Sequence, residues 1–248
     1  MNPPHKISSR FQKAGDFEKY HEFLSSRLMD LKRRPISERY HTQWIKHDLL
    51  RFCLKEEPIQ EGLILEFGVY KGHTIRMISN AFPERAVYGF DSFEGFPDDG
   101  RTDWRCDFSL GGVQPEVPGN IHLIKGFFDQ TLPEFMKRQP TEFISFMHID
   151  CDLYSSTRTI LEHCGPRIGN GTVIVFDELL HYKDFMENEM LAFYEFVQRE
   201  GIHFEWIGTR GDVMPVEQFL RQYEQLPSSF VEWRKMGYDQ GAALRIVG

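Results

Sequence analysis

The sequence contains few cysteines and no pattern that would make them ligands or disulfide partners. The 248 residues include four cysteines, Cys53, Cys106, Cys151 and Cys164. They form no CxxC pair and have no obvious zinc-ligand spacing. No signal peptide opens the sequence. We therefore expect reduced thiols and a cytoplasmic location.

Long apolar runs and an excess of positive charge are also missing. No apolar stretch approaches the ~20 residues of a membrane-spanning helix, so no membrane partner is expected. Lys and Arg number 29 against 37 Asp and Glu, which gives a net charge of −8. This balance argues against nucleic acid as a partner, because its binders usually present a basic face. The length fits one well-buried α/β domain.

Two amphipathic helices are predicted before the first strand, over 17–32 and about 40–55, because apolar residues recur there at helical spacing. We interpret residues 1–56 as an N-terminal helical extension or lid and residues 57–248 as the main domain. The apolar helix pair is also compatible with a homodimer.

From residue 62 the pattern alternates between strand and helix. This alternation predicts an α/β fold with a doubly wound, mostly parallel seven-stranded sheet. Predicted strands cover 63–67, 86–90, 121–125, 143–149, 172–176, 203–207 and 242–247, and helices cover 73–81, 131–138, 155–165 and 184–200. The connections 92–119, 177–184 and 208–240 are long enough for lids or binding loops, and the last is expected to be loop-rich.

Acidic residues follow two neighbouring strands of this predicted sheet. Asp150 and Asp152 follow the fourth strand, and Asp177 and Glu178 follow the fifth. Ligands of open α/β sheets bind at these strand ends. Four carboxylates there repel one another unless a cation neutralises them. Asp150, Asp177 and Glu178 could hold Mg²⁺ or another divalent cation, with loop capping and salt bridges as the alternative.

Two earlier strand ends fit a nucleoside-bearing cofactor. The first strand ends in the pattern Glu66-x-Gly68-x-x-x-Gly72, which lacks the GxGxxG spacing of dinucleotide binders. The second ends at Asp91, where a carboxylate can accept hydrogen bonds from ribose hydroxyls. A nucleoside cofactor without a pyrophosphate therefore fits better than NAD.

The third strand runs into Gly126 and Phe127, at a position where an adenine ring could lie against the strand end. Phe127 and Phe128 are alternatively core residues.

Four motifs occur in a fixed order along the chain. They are Glu66-x-Gly68-x-x-x-Gly72, FDSFEGFP at 90–97, HIDCDLYSST at 148–157 and VFDE at 175–178. Over roughly residues 62–200 the sequence resembles the macrocin O-methyltransferase-like family of class I S-adenosylmethionine-dependent methyltransferases. The resemblance implies a Rossmann-like fold and metal-assisted transfer of a methyl group to a hydroxyl of a sugar or glycosylated small molecule.

The resemblance also implies roles for individual residues. The implied cofactor-binding residues are Glu66, Gly68, Tyr70, Gly72, Thr74, Asp91, Ser92, Phe93, Gly126, Phe127 and Asp150. The implied metal ligands are Asp150, Asp177 and Glu178. Better-known members carry two aspartates at the last two positions, and the longer side chain of Glu178 changes the ligand geometry.

A base must take the proton of the acceptor hydroxyl. Asp150 or Asp152 is best placed for this role. If the strand continues through them, their side chains point the same way. His181 is a further candidate, and Glu189 matches a family position. Two alternatives stay open, a glycosyltransferase that uses the DxD at 150–152 and a non-catalytic cofactor-binding relative. The order of the motifs favours the methyltransferase.

Overall fold

The computed structural model describes residues 11, 15–34, 48–97, 108–139 and 142–248. The strands are β1 Leu63–Phe67, β2 Val87–Asp91, β3 Ile121–Lys125, β4 Ile144–Ile149, β5 Val173–Phe176, β6 Phe204–Thr209 and β7 Ala242–Ile246. They form one sheet in the order β3-β2-β1-β4-β5-β7-β6. β7 runs antiparallel to β5 and β6, and the other pairs are parallel. The predicted mostly parallel, seven-stranded sheet is confirmed.

Helices cover both faces of this sheet. They are α1 Asp16–Asp30, α2 Asp48–Glu56, α3 His73–Ala81, α4 Phe128–Arg138, α5 Tyr154–Cys164, α6 Glu189–Glu200, α7 Val216–Gln222 and α8 Phe230–Lys235. α2 and α3 pack on one face. The other helices contribute to the apolar core on the opposite face. Because both faces are covered, the central strands are apolar almost throughout. No helix in the described ranges is long and apolar enough to cross a membrane.

The two central strands β1 and β4 change register near their start. Ser145 is an extra residue in β4 that has no partner in β1, and its hydroxyl donates to the carbonyl oxygen of Leu63 at 3.0 Å. A shift of one residue exchanges the side chains that share a face. Glu66 consequently lies beside His148, whereas the initial register would place Glu66 beside Met147.

α1 packs against its own chain at the β6 edge of the sheet. Tyr20, Leu24 and Leu28 are buried, and the Tyr20 hydroxyl donates to the carbonyl oxygen of Met186 at 3.1 Å. No residue of α1 lines the cavity described below. The lid and the homodimer therefore stay predictions that these contacts do not support. Residues 40–47 of the second predicted helix lie outside the described residues.

The stretch 208–240 differs from the loop-rich segment that the sequence predicts. It contains α7 and α8, of seven and six residues. Helices of two turns or fewer display too little periodicity to stand out in a sequence. Trp233 of α8 is fully buried in the core, so this segment is a packed part of the domain.

His181, a candidate base in the sequence, ties this segment to the loop after β5. Its Nδ1 donates to the carbonyl oxygen of Asp239 at 2.6 Å, and its Nε2 accepts from the backbone N–H of Met214 at 3.2 Å. Burial lowers the pKa of His181 to about 4, against the opposing hydrogen bond to Asp239. Both ring nitrogens are engaged and the residue does not line the cavity. These contacts correct the sequence-based candidate and favour a structural role.

The packing of α1 predicts a difference between two truncations on the same helix. Leu24→Ala removes a fully buried side chain and should lower the free energy of unfolding by about 2–5 kcal/mol. Met29→Ala, at a side chain that is 74% exposed, should change it by less than about 0.5 kcal/mol. Urea denaturation measures both, and equal effects would show that α1 does not belong to the core.

The lowered pKa of His181 predicts a pH-dependent loss of stability. In the unfolded chain His181 takes up a proton at about pH 6.5, whereas in the folded chain it does so at about pH 4. Stability is therefore lost as pH falls through this window and is unaffected by His181 above it. His181→Gln lacks this titrating group. The difference in unfolding free energy between the native chain and His181→Gln should therefore decrease by about 2 kcal/mol from pH 7 to pH 5.

The control for this measurement is His122→Gln, at an exposed histidine of β3. It makes the same substitution away from the buried contacts of His181. A difference between His181→Gln and the native chain that stays constant with pH would contradict the lowered pKa.

Candidate functional site

The carboxyl ends of β1 to β4 open into a cavity of about 960 Å³. Its size falls in the range of small-molecule sites, roughly 300–1,000 Å³. The predicted site residues that line it are Gly68, Tyr70, Thr74, Asp91, Ser92, Gly126, Phe127, Asp150 and Asp152. Those that do not are Glu66, Gly72, Phe93, Asp177, Glu178 and His181.

The loop after β1 lies directly against the end of β4. Gly68 has φ 90°, and a Cβ there would lie 1.8 Å from the carbonyl oxygen of Asp150. Any side chain at residue 68 would therefore push the two strand ends apart. Gly72 instead begins α3 in the left-handed conformation, which explains why it shapes the turn without lining the cavity.

Asp91 joins the loops after β1 and β2. Its Oδ2 accepts from the backbone N–H groups of Val69 at 2.8 Å and Tyr70 at 2.7 Å. Its Oδ1 accepts from the N–H of Phe93 at 2.6 Å. A carboxylate offers about four acceptor sites, so capacity remains for a ligand in the cavity that Asp91 lines. The Phe93 side chain is fully buried in the core, which corrects its expected place in the pocket.

The neighbouring loops complete this side of the cavity. The Ser92 hydroxyl donates to the carbonyl oxygen of Gly95 at 2.8 Å and fixes a tight turn. Gly126 donates its N–H to the carbonyl oxygen of Asp91 at 3.0 Å. Phe127 is half-buried on the cavity wall. Phe128 packs edge-on against Phe67, with ring centroids 5.7 Å apart.

β4 ends at Ile149, before the two aspartates. Asp152 has φ 64°, in the left-handed region, so the chain does not continue as a strand through 150–152. The expected strand alternation of Asp150 and Asp152 is thus not met, although both line the cavity. Asp177 and Glu178 follow β5 and are 8% and 2% exposed.

One group of potential metal ligands occurs at these strand ends among the described residues. It contains His148, Asp150 and Asp177, each with a ligand atom within 4.8 Å of the others. The sequence-based set instead contained Glu178, which does not belong to this group. His148 was missed because a histidine within an apolar strand is typical of a core residue. Its position two residues before Asp150, on the same strand face, was the available signal.

Glu66 and His148 form a buried pair behind the cavity wall. The Nδ1 of His148 lies 2.8 Å from Oε1 of Glu66, and both residues are fully buried. Burial raises the pKa of Glu66, and the opposing hydrogen bonds from His148 and Thr74 do not cancel it. Burial alone lowers the pKa of His148, but the hydrogen bond and charge of Glu66 outweigh it and raise the pKa. Glu66 therefore contacts His148 and the cavity-lining Thr74, which corrects its expected direct place in the pocket.

A second buried carboxyl lies next to the aspartates. Glu189 of α6 is fully buried, and its Oε1 accepts from the Thr157 hydroxyl at 3.3 Å. Burial raises its pKa well above the ordinary value, and the charges of Asp152, Asp150 and Asp177 add to the shift. Both effects disfavour a further negative charge at this position. The sequence could not distinguish it from an ordinary glutamate on a helix surface.

The comparisons with known proteins agree that the chain is similar to methyltransferases. Residues 65–179 match a family described as a methyltransferase domain. The chain is 28% identical over 158 residues to 8-demethyl-8-(2,3-dimethoxy-alpha-L-rhamnosyl)-tetracenomycin-C 4'-O-methyltransferase of Streptomyces olivaceus, covering 53% of this chain and 59% of that protein. It is 26% identical over 136 residues to demethyldecarbamoylnovobiocin O-methyltransferase of Streptomyces niveus, covering 47% and 48%. The matches thus span about half the length of these relatives.

Solved structures agree with the fold. The calicheamicin methyltransferase CalS11 matches with a TM-score of 0.54 at 19% identity, over 99% of this chain and 98% of that one. The O-methyltransferase NovP matches with a TM-score of 0.54 at 18% identity, over 93% and 98%. At these identities the likeness concerns the fold alone. The domain match at 65–179 and the two curated relatives, together with the sheet order and the cavity at the strand ends, support the resemblance to the macrocin O-methyltransferase-like family of class I S-adenosylmethionine-dependent methyltransferases.

Proposed function

We propose that this protein transfers a methyl group from S-adenosylmethionine to a hydroxyl of a sugar or glycosylated small molecule, with a divalent cation such as Mg²⁺ bound at the site. The main support is one cavity whose wall contains both Asp91, at the end of β2, and the aspartates after β4. The names of the two curated relatives are also those of O-methyltransferases, one of a rhamnosyl-tetracenomycin.

The cofactor side of the cavity fits a nucleoside without a pyrophosphate. Gly68 brings the backbone of the β1 loop close to the end of β4. Asp91 faces the cavity with a carboxylate that can accept ribose hydroxyls. Phe127 offers an aromatic surface on the same wall. When bound, S-adenosylmethionine supplies an electrophilic methyl group on a sulfonium.

The acceptor side of the cavity is acidic. Asp150 and Asp177 would hold the cation, whose chemistry is to lower the pKa of a bound hydroxyl and to fix its position. Glu178, two per cent exposed and outside the three-residue group, is the weaker member of the sequence-based set. The donor set of carboxylates beside an imidazole is suited to a divalent cation.

The carboxylates after β4 also provide the base. Bound S-adenosylmethionine would supply the methyl carbon to the acceptor oxygen, and its sulfur would keep the electron pair of the carbon–sulfur bond. The hydroxyl proton goes to Asp152 or Asp150, which both line the cavity. Burial raises the pKa of the nearby Glu189, which favours its uncharged form.

Binding of the reaction product tests the cofactor assignment. S-adenosylhomocysteine should raise the melting temperature of the native chain, whereas UDP-glucose and NAD should not, since ligands stabilise only the state that binds them. Asp91→Asn should weaken S-adenosylhomocysteine by about tenfold or more, because the ribose loses a charged acceptor. Asp212→Asn, at an exposed aspartate paired with Arg33, is the matched control and should bind normally. Stabilisation by UDP-glucose alone would favour the glycosyltransferase.

Removal of the cation tests the reaction. Transfer of a labelled methyl group to a panel of glycosylated acceptors should stop in EDTA and return with Mg²⁺ or Mn²⁺. Asp177→Asn should reduce this restored transfer by about a hundredfold or more, because it removes a cation ligand, and should leave S-adenosylhomocysteine affinity within about threefold. Asp129→Asn, on the cavity wall after β3, should retain the response to the cation. Full methyl transfer in EDTA would contradict the metal requirement.

A further inference from the structure

The buried imidazole of His148 has one ring nitrogen in contact with a neighbouring side chain and one without a hydrogen-bond partner among the described residues. Its Nδ1 lies 2.8 Å from Oε1 of Glu66. When Glu66 accepts from Nδ1, Nε2 is left with the lone pair that a ligand nitrogen needs. Nε2 is buried and has no hydrogen-bond partner among the described residues. A buried polar nitrogen in this state is uncommon and points to a missing ligand.

The surroundings of His148 leave few protein groups for that nitrogen. On one side, β1 pairs Glu66 with His148, and Glu66 already contacts Nδ1. On the other side β5 places Val175, an apolar residue. Asp150 follows the end of β4, two residues after His148, and Asp177 follows the end of β5.

These three residues have the spacing of a cation site. A ligand atom from each of His148, Asp150 and Asp177 lies within 4.8 Å of the others. Ligands about 2.1 Å from a cation lie about 3 Å apart at right angles and about 4.2 Å apart across it. Small side-chain rotations therefore suffice to bring the three atoms onto one ion.

The Glu66–His148 contact is the usual support of a metal-binding histidine. Such histidines almost always donate their second ring N–H to a carboxylate, which fixes the tautomer and makes the free nitrogen a better ligand. Glu66 supplies this carboxylate from within the core, where it is fully buried. Asp150 and Asp177 add carboxylate oxygens within reach of the same point, and such oxygens are common ligands of divalent cations.

We propose that Nε2 of His148 is a direct ligand of the divalent cation, with Asp150 and Asp177 as the other protein ligands and Glu66 as the residue that positions the imidazole. This deepens the proposed function, on which it rests, because it changes the ligand set expected from the sequence. Imidazole favours transition metals over Mg²⁺. We therefore expect Co²⁺ to bind at least about tenfold more tightly than Mg²⁺.

Pulsed electron paramagnetic resonance of the full-length protein loaded with Mn²⁺ tests the ligand directly. The native chain should show ¹⁴N modulation from a bound imidazole, and labelling with ¹⁵N-histidine should replace it by the ¹⁵N pattern. His148→Gln should abolish the modulation. His73→Gln is the matched control, since His73 also lines the cavity, and should retain it. If His148→Gln does not fold, the His73→Gln variant labelled with ¹⁵N-histidine still shows whether a histidine other than His73 binds the Mn²⁺.

Titration with Co²⁺ and Mg²⁺ gives a second readout. His148→Gln should weaken Co²⁺ binding by about tenfold or more and bring the two affinities closer. Glu66→Gln should keep the nitrogen modulation but weaken Co²⁺ binding by about tenfold, as for other residues that orient a ligand.

Two results would overturn the proposal. One is native Mn²⁺ protein without nitrogen modulation. The other is loss of cation binding in Glu178→Gln together with full binding in His148→Gln, which would restore the sequence-based ligands. Neither result depends on methyl transfer. Failure of S-adenosylhomocysteine to bind would instead defeat the proposed function and leave the nitrogen measurement valid.

Discussion

The buried pair of Glu66 and His148 is the interaction on which the arrangement of the site depends. Removing two ionisable groups from water costs several kcal/mol each unless they meet closely, and here they meet at 2.8 Å. That contact is possible only in one register of β1 against β4, which the extra residue Ser145 creates. The pairing of β4 with β5 brings Asp150 beside Asp177, so the acidic end of the cavity also follows from pairings made inside the sheet.

The other end of the cavity is built mainly from backbone contacts. Asp91 accepts from three N–H groups in two loops, and Gly68 lets the β1 loop touch the carbonyl oxygen of Asp150. These contacts join the ends of β1, β2 and β4. A cofactor bound near Asp91 and a hydroxyl bound near Asp150 would therefore be held in a fixed relation, which is the condition for efficient group transfer.

Much of the fold was accessible from sequence periodicity. Each of the seven strands lies within two residues of its predicted bounds, because buried parallel strands are short apolar runs between turn residues. The helix 184–200 begins only at Glu189, after a 3₁₀ turn. α7 and α8 were missed because they are too short to show a period. The position of α1 at the β6 edge could not be predicted, since periodicity identifies an apolar face but not its partner.

The sequence by itself determined the α/β class, the strand ends at which chemistry is concentrated and the order of the motifs that carry the resemblance to a methyltransferase family. The tertiary structure decided which carboxylates meet. Glu66 lies in the core beside His148, and Glu189 is buried. Both ring nitrogens of His181 form hydrogen bonds within the domain. The physical reason is that local sequence encodes the type of element and its apolar face, whereas the neighbours of a side chain, and hence its protons and ligands, depend on register and packing between distant segments.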